Sequence, residues 1–95
     1  MTSPDYVWDK MYVAIDCLCG PGSFVDRLED ATISSLVRLD EDDLTGELAE
    51  DLKFILGWTK NNIIDGKIQK PPDEFDRKKL IEKMLHVMLE THLMK

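Results

Sequence analysis

Apolar residues recur every three or four positions in four separate blocks of this chain, and nowhere do they alternate with period two over a useful length. That spacing gathers them on one stripe of an α-helix and would scatter them over both faces of a strand, so the pattern predicts helices and argues against a sheet. Breakers divide the blocks. Gly20-Pro21-Gly22 ends the first, the acidic connector Asp40-Glu41-Asp42-Asp43 follows the second, and the stretch from Asn61 to Pro72 follows the third.

Ser3 before Pro4 is a start signal, a capping hydroxyl ahead of a proline at the first helical position. It opens a helix predicted over 4–18, with Val7, Met11, Ala14, Ile15 and Leu18 on one stripe, Trp8 and Tyr12 beside it, and Asp5, Asp9 and Asp16 opposite. Ser23, with Asp26 at the third helical position, opens a second helix predicted over 24–38. Its main face is Phe24, Leu28, Ala31, Ser35 and Leu39, and Ser34 and Ser35 are small enough to let another helix approach closely. Ile33 and Val37, four apart, form a narrower apolar stripe on its far side.

Thr45 is the expected cap of a third helix over 46–60, whose core face is Leu48, Leu52, Ile55, Leu56 and Thr59. Phe54 and Trp58, also four apart, fall on a different side among Glu47, Glu50 and Asp51. In the following segment Asp65-Gly66 reads as a turn and Pro71-Pro72 as extended chain, with Ile63, Ile64 and Ile68 tucked against the core. Asp73 caps a fourth helix over 73–93, which carries a broad apolar arc through Leu80, Ile81, Met84, Leu85, Val87 and Met88. The expected fold class is all-α, a four-helix antiparallel bundle or compact helical array. At 95 residues the chain is expected to form a single helical domain, 1–95.

Charge is divided by position. Residues 1–50 carry twelve acids against three bases, a formal −9, while residues 51–95 carry seven acids against nine bases, a formal +2; together they give the −7 of the whole chain. An acidic surface of this kind bears on partners rather than on fold. It disfavours direct binding to nucleic acid, since the one basic stretch, Arg77-Lys78-Lys79 with Lys83, is interleaved with Asp76 and Glu82. No apolar run approaches the roughly 20 residues of a membrane span, and the first five residues lack the pattern of a signal peptide, so no membrane partner and a cytoplasmic location are expected.

Chemistry finds little purchase in the sequence. Cys17 and Cys19 stand two apart, so on a helix they point about 200° from each other and cannot bridge; they read as partly buried thiols. His86 has Glu82 and Glu90 one turn either side, which reads as a surface ion-pair ladder. His92, in the last turn, reads as complementing the helix dipole. No glutamate stands three residues before either histidine, so a di-metal carboxylate bundle is not supported. Asp40 begins no calcium loop, because Leu44 and Thr45 occupy its fifth and glycine positions. Nucleophile elbows and phosphate loops are absent. The expectation is therefore no catalytic site, no cofactor and no metal.

One pattern spans about a third of the chain: Arg27-Leu28-Glu29, Ala31, Leu36, Leu39, Asp43-Leu44, Glu47-Leu48, Asp51-Leu52, Ile55 and Thr59. It resembles small uncharacterised bacterial all-helical proteins in which arginine-leucine helices lead into an acidic turn, although Thr45 stands where that pattern often has proline. The resemblance implies a helical fold and no active site.

These readings predict a small acidic, non-enzymatic interaction module, an inhibitor, immunity factor or regulatory subunit, whose acidic N-terminal half docks on a basic surface of another protein. The expected partner-binding residues are Asp40, Glu41, Asp42, Asp43, Glu47, Asp51, Phe54, Trp58, Ile33 and Val37. A structural homo-oligomer or accessory subunit of a larger complex is the first alternative, with a second copy in a homodimer as a further expected partner, and a nucleic-acid mimic is the second. For Phe54 and Trp58 a core role stands beside the role of partner anchor.

Overall fold

The computed structural model describes residues 4–93. Four helices account for most of them: α1 (Pro4–Leu18), α2 (Phe24–Ser34), α3 (Gly46–Asn62) and α4 (Glu74–Leu93). α1 packs against α2 and α4, and α4 against α3. The predicted stripes meet at the centre: Val7, Met11 and Ala14 of α1, Leu28 and Ala31 of α2, Leu52 and Ile55 of α3, and Leu80, Met84 and Val87 of α4 are all buried. Each large aliphatic removed from water in this way contributes about 1.5–3 kcal/mol, which makes the interior the main source of stability. The fold is all-α, as the periodicity requires. No helix among the described residues is long and apolar enough to cross a membrane.

The start and stop signals act as their chemistry suggests. Ser23 Oγ accepts the Asp26 N–H at 3.1 Å, and Asp73 Oδ1 accepts the Asp76 N–H at 2.7 Å. Arg27 reaches back from α2 and donates to the Leu18 carbonyl at 2.5 Å, satisfying an end of α1 that would otherwise lack a partner. Ser3 lies outside the described residues. Thr45 occupies the N-cap position of α3, but its side chain makes no capping hydrogen bond.

The second helix is shorter than predicted. It stops at Ser34 instead of continuing to Arg38, and Leu36–Arg38 form a single 3-10 turn. The cause is Ser35, which leaves helical geometry (φ −144°) and donates its buried hydroxyl to the Lys10 carbonyl of α1. A hydroxyl that finds a partner on a neighbouring helix competes with helix continuation. The kink still turns Leu36 and Leu39 inward and leaves Ile33 and Val37 facing solvent.

The acidic connector is also ordered. Glu41–Asp43 form a second 3-10 turn, in which Asp40 Oδ1 accepts the Asp42 N–H at 3.0 Å and Asp43 Oδ2 accepts the Asp40 N–H at 2.9 Å. α3 runs two residues past its predicted end, to Asn62, whose side-chain amide donates to the Trp58 carbonyl at 2.9 Å.

Against the expectation of no strands, residues 63–68 form a minimal hairpin, β1 (Ile63–Ile64) with β2 (Lys67–Ile68), in the register Ile63 to Ile68 and Ile64 to Lys67. Asp65 (φ 54°) and Gly66 (φ 78°) give the two-residue turn the left-handed geometry a tight hairpin requires. Two residues per strand are too few for alternation to show. Glu29 ties the hairpin to α2 by accepting the Ile68 N–H at 2.6 Å.

Three buried threonines keep their hydroxyls within their own helices. Thr32 donates to Leu28, Thr59 to Leu56 and Thr91 to Val87, at 2.9, 2.9 and 2.7 Å.

Candidate functional site

The expected partner-binding residues separate into a groove, an acidic turn beside it, and a polar junction between α3 and α4. Ile33 and Val37 are 53% and 64% exposed, and they form one wall of an open, largely apolar groove of about 340 Å³. Leu36 and Leu39 lie at its floor beside Leu56 and Thr59 of α3, and Ile63 and Gly66 of the hairpin complete the lining, with Gly66 close beside Ile33. The hollow lies where α2 stops and the chain bends into the 3-10 turn.

Acids neighbour the groove's lining residues along the chain. Asp30 precedes Ile33 by three residues, a neighbour on the helix surface, and it is exposed. Asp40, Glu41 and Asp42 follow directly from Leu39 and are exposed, whereas Asp43 is half-buried with its carboxylate on the Asp40 amide. Lys60 also lines the groove and adds one positive charge to its rim.

Asp51 faces α4, not the groove. Its side chain is 14% exposed; Lys83 Nζ lies 2.8 Å from Oδ1, and His86 Nδ1 lies 2.5 Å from Oδ2. Burial would push the Asp51 carboxyl up, but the hydrogen bonds from Lys83 and His86, with their charges, outweigh it and hold the group below its ordinary value. The same bond raises His86, and although some desolvation opposes the shift, the negative charges of Asp51, Glu90 and Glu47 add to it.

The ladder expected around His86 is therefore rearranged. Its nearest acid is Asp51 on another helix, Glu90 is 3.7 Å away, and Glu82 pairs with Lys78 instead, at 3.9 Å. His92 lies beside the Trp8 ring, 5.8 Å between centroids.

Phe54 and Trp58 are half-buried and pack against the core. Lys79 Nζ sits 4.6 Å from the Phe54 ring centroid and Lys83 Nζ 5.6 Å, so cations from α4 cover this aromatic. Glu47 is exposed near His86, beside Glu90.

An imidazole oriented by a carboxylate is half of a general-base arrangement. The hollows next to it are lined by Phe75, Lys78, Lys79, Glu82 and Lys83, or by Thr45, Glu47, Leu48 and Glu90, with no serine or cysteine among them. Among the described residues no cluster of three or more histidines, cysteines or acids is placed to hold a metal ion.

Sequence reasoning missed the rest of the groove's lining. Thr59, Lys60, Ile63 and Gly66 join Ile33 and Val37 only through the fold, although the Asp65-Gly66 turn signal marked where the chain reverses. Comparison of the chain with models of known protein families, with curated proteins and with solved structures found no match.

Proposed function

We propose that this chain is a non-enzymatic interaction module that docks its acidic N-terminal half on another protein. The partner presents basic residues around an apolar side chain. The observation that carries the reading is the open groove walled by Ile33 and Val37, whose neighbours along the chain include the exposed acids Asp30, Asp40, Glu41 and Asp42. Apolar contact supplies affinity at the centre of such an interface, and charges at its rim supply attraction and register. Within the chain's net charge of −7 the complementary partner is basic.

Capture from the native cell tests the proposal. The captured protein is expected to be basic, to be released as salt rises, and to be lost when Val37→Ser removes the apolar wall or Asp40→Lys with Asp42→Lys reverses two of the acids. Capture indifferent to salt and to both sets of substitutions overturns the reading.

A further inference from the structure

On the side of the molecule formed by α1 and α4, a second apolar surface lies open. Leu85, Leu89 and Leu93 stand four apart on α4 and are 39%, 58% and 75% exposed. A solitary surface helix carries polar residues on such a stripe. The surface continues onto α1, where Tyr12 is 53% exposed and stacks on Trp8 at 5.3 Å, and Trp8 in turn meets His92 of α4 at 5.8 Å. Further along the same seam, Ile15, Cys19, Ile81 and Leu85 border a hollow of about 220 Å³ with almost no polar lining.

We infer that this α1/α4 face pairs with the same face of a second copy of the chain, about a twofold axis passing near Leu89. Three features select a copy as the occupant. The stripe is evenly spaced about Leu89, so running it antiparallel against itself sets Leu89 on its twin and Leu85 on the partner's Leu93, which is the self-complementarity a twofold interface requires. The size suits a weak, reversible contact. The open stretch runs about 18 Å along α4 and about 15 Å along α1 at 1.5 Å per residue, and two helices roughly 10 Å apart present a face about 20 Å wide, or roughly 330 Å² per copy, in the range of weak and transient interfaces. Finally, the centre of the patch is uncharged, so a strongly charged partner gains nothing there. The acids Asp9 and Asp16 flank Tyr12 on α1 and are exposed. In the pairing they approach their counterparts, so salt strengthens this contact, the opposite of its effect on acidic-to-basic docking at the Ile33/Val37 groove.

Sedimentation equilibrium of the full chain at about 0.05 M and about 0.5 M salt reads the association. A monomer–dimer equilibrium that tightens at the higher salt is expected. Leu89→Glu should weaken it at least about tenfold, about 1.4 kcal/mol, with an unchanged melting curve, while Val37→Glu leaves it intact. Should Leu89→Glu fail to fold, Leu89→Cys in a Cys17→Ser, Cys19→Ser background provides a second readout, and mild oxidation should give a covalent dimer across the twofold axis. A strict monomer at high concentration and high salt overturns the inference. So does a dimer that loosens with salt, a dimer indifferent to Leu89→Glu, or a monomer that instead binds phosphatidylcholine vesicles through Leu89.

Discussion

His86 Nδ1 on α4 lies 2.5 Å from Asp51 Oδ2 on α3, across 35 residues of chain, and Lys83 Nζ holds the other oxygen of the same carboxylate at 2.8 Å. One acid thus gathers two basic groups from the facing helix. It is the polar fastening of the α3–α4 junction, and it makes the junction sensitive to pH.

The signs of the two shifts define a window. His86 is raised above its ordinary 6.5, so its contribution is complete below that value and is lost as pH climbs through the raised one. Asp51 is lowered below its ordinary 3.8, so its contribution is complete above that value and is lost as pH falls through the lowered one. Stability from this cluster is therefore greatest between 3.8 and 6.5. The alkaline loss is small, because His86 is half-exposed and solvent screens the pair. Urea unfolding across that range and into the alkaline side, compared with His86→Gln, checks it. A variant whose stability declines with rising pH as the parent's does would remove His86 as the cause.

Gly66→Ala is expected to destabilise the protein by about 1–2 kcal/mol. The position needs a positive φ that side chains rarely adopt, and an added Cβ would stand 3.1 Å from Ile33 Cδ1. Gly57→Ala provides the contrast. No neighbour lies within 4 Å of the added carbon, and the position is inside α3, so helix propensity alone predicts a gain of about 0.5–1 kcal/mol. Thermal melts of the pair should move in opposite directions.

Trp58→Ala should cost about 2–4 kcal/mol, toward the lower part of the range for large core aromatics because the ring is only half-buried against the core. A melting temperature within a degree or so of the parent's would instead assign the residue to a partner surface.

Ser35→Ala removes the hydroxyl that joins α2 to the Lys10 carbonyl while leaving the small volume of the site almost unchanged. A loss of about 1 kcal/mol is expected, the net worth of one internal hydrogen bond. Chemical denaturation measures it, and an unchanged midpoint would show that shape alone sets the α1–α2 spacing.

Helical periodicity made the four apolar stripes legible, because burial and the 3.6-residue repeat impose the same spacing. Capping chemistry made most ends legible too, as at Ser23 and Asp73. What failed was decided at a distance. Nothing within ten residues of Ser35 announces that its hydroxyl meets Lys10, so α2 reads as four residues too long. The Asp51–His86–Lys83 cluster joins residues more than thirty apart, and local spacing offered His86 two other acids instead. Of the groove, the Ile33/Val37 wall was readable as a stripe off the main face, whereas the hairpin part of the lining was not, since two residues per strand are too short to alternate.

The buried hydroxyls carry a consequence for how this architecture could be altered. Thr32, Thr59 and Thr91 each bond to a carbonyl of their own helix, and among the described residues no buried side-chain nitrogen or oxygen lacks a partner. Polar bonding in the deep interior therefore closes inside each rod, apart from the single serine that clasps α1 to α2. A rod that satisfies its own polar atoms can be exchanged for another of matching contour without stranding a donor or acceptor on its neighbour. α3 and α4 are in this sense replaceable only as a pair, because Asp51 of α3 takes its hydrogen bonds from Lys83 and His86 of α4.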